Sequence, residues 1–133
     1  MKTRLRAKPA ARLVLKLGGE LLEQPQDVER VAKAIARLAS RVALVVVHGG
    51  GKEIDAALAT AGIPKQQVDG LRVTDAPTLD VVVAVLAGAI NTRLVAAVRR
   101  AGGKPVGLTG ATSESTPGGG RLMLMGSANM RRN

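Results

Sequence analysis

The sequence predicts an α/β fold with a mainly parallel sheet, and three observations carry that prediction. The runs at 13–17 and 42–47 are short and apolar, the second rich in β-branched residues, and each leads into glycines. That is the pattern of strands covered on both faces. Between them Val28, Val31, Ala32, Ile35, Leu38 and Ala39 recur at helical spacing, the stripe of an amphipathic helix over about 27–40. The links are short, so strand, helix and strand form a βαβ unit with a right-handed crossover and parallel strands.

The remaining elements follow in chain order. A second helix opens at Gly51, turns Ile54, Ala57, Leu58 and Ala61 inward, and stops at Gly62 before Ile63-Pro64. The stretch 65–74, "KQQVDGLRVT", places an Asp69-Gly70 turn between two short apolar runs and predicts a small hairpin or ordered loop. Thr74 or Asp75 can cap a long helix with Pro77 in its first turn. That helix runs to Gly102-Gly103, with a bend expected at Gly88, and its middle is apolar on nearly every face, the mark of a central helix. Residues 104–108 read as a third strand ending at "GLTG". From 111 the sequence has no sustained period, and 111–133 is read as an irregular tail outside the fold.

At 133 residues the chain is long enough for one domain with a real core. That core must be aliphatic, because Phe, Tyr and Trp are absent. The same absence removes the usual stacking platforms for a nucleobase. The net charge of +10 sits mainly at the ends: residues 1–12 carry five basic and no acidic groups, whereas the middle of the chain carries twelve against nine. Residues 1–12 are read as a solvated, poorly ordered extension. A nucleic-acid partner is therefore not expected. The longest apolar or glycine run, Val81 to Ile90, is shorter than the roughly 20 residues a membrane span needs, and the basic start lacks the pattern of a secretory signal. A cytoplasmic protein without a membrane partner is expected. With no cysteine and one histidine, thiolate and His-cluster metal sites are excluded, and no metal ligand is assigned.

Neighbouring parallel strands end on one sheet edge, so "KLGG" (16–19) and "HGGG" (48–51) should face one another across a crevice outside their carboxyl ends. Glycines there let a ligand approach the backbone, and successive N–H groups leading into a helix form an anion cradle. Two cradles on one edge fit a phosphoryl donor and its acceptor. Lys16, at the mouth of the first strand, would bring an ammonium to the charge that develops between them. Taken singly, these features have plainer readings: a strand-end lysine facing solvent, a glycine pair in a tight turn, an arginine (Arg72) on a solvated hairpin. Neither GxxxxGK[ST] nor GxGxxG occurs.

The segments "LVLKLGGELL", "VVVHGGGKEIDAAL", "GIPKQQVDGLRVTDAPTLDVVVAVLAGAINTRLV" and "PVGLTG" follow one another over about 13–110. In that order they resemble the acetylglutamate kinases of the amino-acid kinase family, and "VDGLRVTDAPTLDVV" carries the most specific likeness. The resemblance implies a three-layer αβα sandwich, of which 13–110 would be the amino-terminal, acceptor-binding half and therefore incomplete. It implies ATP-dependent phosphorylation of the side-chain carboxylate of N-acetyl-L-glutamate, a step of arginine biosynthesis yielding an acyl phosphate, with ATP as donor and Mg2+ alongside it. By the same resemblance Lys16 stabilises the transferring phosphoryl group, Gly18 and Gly19 lie beside the donor phosphates, Gly50 and Gly51 receive the acceptor, and Arg72 holds its α-carboxylate. A planar guanidinium suits such a bidentate clamp. A homo-oligomer is expected where the full domain is present. His48 is read as a structural residue that fixes the turn by a hydrogen bond, with contact to ligand as the alternative.

The resemblance stops near Gly110, where an Asp-Gly pair gives way to Thr112-Ser113. Family members are longer, and their carboxyl-terminal half supplies most of the nucleotide site, an acceptor-side asparagine, an orienting aspartate and a second lysine. An amino-terminal portion of such a kinase is therefore expected, with little activity by itself. Two other readings stay open: a non-catalytic basic binding module or kinase fragment, and a sibling kinase with another carboxylate acceptor.

Overall fold

The computed structural model describes residues 12–109, together with the backbone of two strands at 122–126 and 130–131. Strand β1 (Arg12–Leu17) leads through a 3-10 turn (Gly19–Leu22) into α1 (Pro25–Ala39), followed by β2 (Ala43–His48) and α2 (Gly51–Thr60). The hairpin β3 (Gln67–Val68) and β4 (Leu71–Val73) precedes α3 (Ala76–Val83), a π-helical segment (Ala84–Ile90) and α4 (Asn91–Arg100). Strands β5 (Val106–Leu108), β6 (Leu122–Gly126) and β7 (Met130–Arg131) complete the order.

The main sheet has the order β1-β2-β6-β5, with every pair parallel. Strand β1 registers Leu17 against His48, which brings the two glycine runs to one edge. A smaller sheet, β3-β4-β7, holds the hairpin. Its turn is as the sequence predicts: Val68 pairs with Leu71, leaving Asp69 and Gly70 as a two-residue loop with φ of 51° and 74°. Positive φ at both positions is the geometry of a type I′ turn, which asparagine or aspartate followed by glycine adopts at least cost.

Helices cover one face of the sheet. On β2 the side chains of Leu44, Val46 and His48 are buried, and between them Val45 and Val47 are partly exposed. Leu17 from β1 and Ile35, Leu94 and Val98 from α1 and α4 join that core. The opposite face carries Val14, 68% exposed, and Val106, 49% exposed, which share it by register with Val45. Among the described residues the αβα sandwich is thus present as a sheet and one helical layer.

One expectation needs revision, and two gain detail. Leu122–Gly126 is not irregular chain but a strand between β2 and β5. A strand with parallel neighbours on both sides needs no alternation, so the short run "LMLMG" shows no period to read. The rest of 111–133, apart from Met130–Arg131, lies outside the described residues, as do positions 1–11 of the basic extension; Arg12 begins β1. The bend expected at Gly88 is a seven-residue π-helical segment, which shifts the helix face by widening one turn. Finally, the continuous helix Ala76–Arg100 is long and apolar enough to cross a membrane, although the longest unbroken run is short. It packs as a core helix, burying Val82, Leu86, Ile90, Leu94 and Val98.

Candidate functional site

The two glycine runs meet directly. A Cβ placed on Gly19 would lie 3.0 Å from the Cα of Gly50 and 3.1 Å from its nitrogen, so the loops touch backbone to backbone. Beside this contact opens a cleft of about 180 Å³ lined by Gly19, Glu20, Glu23, Gly50, Gly51, Lys52 and Glu53. The glycines differ in role. Gly50 is buried, and a Cβ there would collide with Ile90 Cδ1 and lie 3.3 Å from Leu86 Cδ2, so any larger residue would have to displace the Ile90 side chain. Gly51 has nothing within 4 Å of its Cβ position and is open to solvent. Gly18 faces the Glu20 carboxylate, a flexible neighbour.

Helix α2 starts at Gly51 with no side chain capping its amino terminus. Its first N–H groups are therefore orphan donors at the positive end of a ten-residue helix, which favours an anion. Lys52 pairs with Glu23 across the cleft at 3.1 Å. Glu53, in the first turn, is held by Arg93 of α4.

Arg72, on β4, docks one turn further along α2. Its Nη2 donates to Asp55 Oδ1, and Lys65 Nζ donates to Asp55 Oδ2 at 2.8 Å. Asp55 follows Gly51 by four residues, so both lie on one helix face about 5–6 Å apart. Burial opposes ionisation of Asp55, but hydrogen bonds and charge from Lys65 and Arg72 outweigh it and lower its pKa. The Arg72 side chain is only 12% exposed, and among the described residues its buried Nη1 has no partner. The same holds for the buried Thr74 Oγ1.

His48 is fully buried, with Nδ1 3.4 Å from the Gly49 carbonyl and Nε2 without a partner among the described residues. Burial lowers its pKa, so the ring is neutral and its Nδ1–H is the donor of that bond. Lys16 does not join the cleft lining. It alternates with the inward Leu17, lies exposed on the sheet face away from the helices, and forms no ion pair among the described residues. The structure therefore brings Gly19, Gly50 and Gly51 together, sets Arg72 one helical turn away, and leaves Lys16 at the same strand end, exposed on the sheet face away from the helices and outside the cleft lining. Asp55, Glu53 and Arg93 were not singled out from sequence. Asp55 had a signal in its i+4 spacing from Gly51, whereas Arg93 reaches Glu53 from forty residues away with no local mark.

The sequence profile of the Amino acid kinase family matches residues 11–132. The chain belongs to the amino acid kinase family. The matched range takes in β6 and β7 as well as the glycine runs. Among curated family relatives, acetylglutamate kinase of Synechocystis sp. is 46% identical over 99 residues, covering 74% of this chain and 33% of that protein. Acetylglutamate kinase of Novosphingobium aromaticivorans is 47% identical over 98 residues, covering 73% and 32%. The chain thus spans about a third of the length of these relatives. Among solved structures, smu.665 from Streptococcus mutans superposes with a TM-score of 0.66 at 20% identity, covering 90% of this chain and 63% of that one. N-acetylglutamate synthase from Neisseria gonorrhoeae, complexed with coenzyme A and N-acetyl-glutamate, superposes at 0.65 with 23% identity, covering 89% and 34%. These structures show the shared amino acid kinase fold. Among the described residues no group of three or more acidic or histidine side chains is arranged to hold a metal ion.

Proposed function

We propose that this chain provides the acceptor side of an ATP-dependent kinase that phosphorylates the side-chain carboxylate of N-acetyl-L-glutamate, a step of arginine biosynthesis. The observation that carries the reading is Arg72: half of its fork is anchored by Asp55, and the other half is buried, without a partner among the described residues and one turn from the uncapped start of α2. A buried guanidinium N–H without a partner is costly unless a ligand completes it. A carboxylate is the group whose geometry matches that fork. The names of the curated relatives support the same acceptor.

In this reading Arg72 binds the α-carboxylate, and the N–H groups following Gly50 and Gly51 orient the side-chain carboxylate that is to be phosphorylated. Gly18 and Gly19 leave room for the donor phosphates. Lys16, at the strand end and without an ion pair among the described residues, supplies a cation that offsets charge on the group in transfer. ATP brings the phosphoryl group, and Mg2+ arrives on its phosphates, since the described residues offer no metal cluster. The acceptor is already ionised at neutral pH, so no general base is needed and His48 acts as a structural residue. A cytoplasmic setting and a homo-oligomer complete the proposal; among the described strands β1 pairs on one side only, and such an edge suits assembly.

Calorimetry with N-acetyl-L-glutamate tests the reading. Saturable binding is expected, weakened by Arg72→Lys by roughly 10- to 100-fold, the loss of a charge-assisted hydrogen bond from Nη1. Equal binding by wild type and variant would overturn the role of Arg72. Stronger binding of another acidic amino acid in the same titration would favour a sibling kinase. Hydroxylamine trapping in the presence of MgATP reports whether acyl phosphate forms.

A further inference from the structure

Arg93 stands where three separate segments converge. Its Nη2 donates to the Leu22 carbonyl at 3.0 Å and to Glu53 Oε1 at 2.5 Å, and its Nη1 donates to Glu53 Oε2 at 3.4 Å. Leu22 closes the 3-10 turn that follows Gly18-Gly19, and Glu53 lies in the first turn of the helix that follows Gly50-Gly51. One guanidinium on α4 therefore grips the segment behind each glycine loop. The loops themselves touch at Gly19 and Gly50. His48, buried beneath them, lies within reach of both charges, Arg93 opposing and Glu53 favouring its protonation.

We infer that Arg93 is a positioning residue that fixes the two glycine loops relative to one another. Its functional meaning rests on the reading of those loops as donor and acceptor cradles. Phosphoryl transfer depends on positioning, and small displacements of the two ends are costly. Arginine suits this double grip because a planar fork can satisfy a carbonyl and a carboxylate at once, which a lysine ammonium on a flexible stem does poorly. The role is separable from folding. α4 is anchored in the core by Leu94, Ala97 and Val98, each at most 1% exposed, whereas the Arg93 side chain is 39% exposed.

Hydrogen exchange on the full chain reads this directly through two amides, Leu21 N–H, bonded to the Gly18 carbonyl, and Ile54 N–H, bonded to the Gly50 carbonyl. Arg93→Met is expected to speed exchange at both by roughly tenfold or more, the loss of a charge-assisted hydrogen bond. Amides of α1 should exchange as in wild type. Arg93→Lys should restore protection at Ile54 through Glu53 while Leu21 stays fast. Unchanged exchange at either amide in Arg93→Met, or equal acceleration throughout α1, would overturn the inference. Glu53→Gln provides a second, milder variant, expected to speed Ile54 more than Leu21; the reverse order counts against the inference. Titration with N-acetyl-L-glutamate and MgATP adds a functional readout: Arg93→Met should weaken both ligands together, whereas Arg72→Lys weakens only the acceptor. If wild type binds neither ligand, the kinase reading fails while the exchange result still decides the positioning role.

Discussion

At the scale of single residues, the glycines of the second loop separate by what surrounds them. Gly50 is small because Ile90 occupies the space a side chain would need, and Gly51 is open. Gly50→Ala should destabilise the chain by about 1–3 kcal/mol through overpacking. Adding Ile90→Val, which removes the colliding methyl, should recover part of that loss, so urea unfolding of the two single variants and the double variant should be clearly non-additive. Additive losses would show that the collision is relieved elsewhere. His48 makes a second prediction. Its folded pKa lies below the ordinary value of about 6.5, so the unfolded chain takes up the proton first as pH falls. Its contribution to stability is therefore complete above about pH 6.5 and is lost progressively as pH falls through the folded pKa. Unfolding free energies measured between pH 7.5 and pH 5 should fall, and His48→Asn should flatten that slope. Equal slopes would contradict it.

At the scale of elements, local chemistry and tertiary contact divide the work. The hairpin is made by its own turn: Asp69 and Gly70 both take positive φ, and Asp75 caps α3 by accepting from the Thr78 amide at 3.0 Å. Both devices were legible because they need only neighbours in sequence. Gly70→Ala should cost about 1–2 kcal/mol, the penalty of a side chain in the left-handed region, with the change confined to exchange in the hairpin. An undisturbed hairpin would mean that β7 rather than the turn holds β4. The π-helical segment is different. Nothing in "AVLAGAI" announces a wider turn; Leu86 and Ile90 of that segment both lie against Gly50, a neighbour far away in sequence.

For the whole molecule, the described residues cover the sheet on one side, and its two faces should respond to substitution in opposite ways. Leu44 is 1% exposed and Val14 is 68% exposed. Leu44→Ala should cost about 2–5 kcal/mol by cavity formation. Val14→Thr should change stability by no more than about 0.5 kcal/mol, as surface replacements do. A large loss at Val14, measured by the same thermal or urea unfolding, would show that the exposed face is packed in solution. The membership in the amino acid kinase family belongs to this scale as well, since the profile spans 11–132 and both glycine runs.

The sequence by itself determined the βαβ start, the three helices that open at about 27, 51 and 75, the hairpin turn, and the meeting of "KLGG" with "HGGG" at one sheet edge. Each of these follows from periodicity, capping or the parallel crossover, which act over short stretches of chain. Tertiary structure alone decided that Leu122–Gly126 enters the sheet, that Gly50 lies against Ile90, that Lys16 lies on the sheet face away from the helices, and that Arg93 joins the two loops. Those outcomes are set by which surfaces meet after the helices pack, and the contacts that set them, such as Arg93 to Leu22 seventy-one residues away, leave no pattern along the chain.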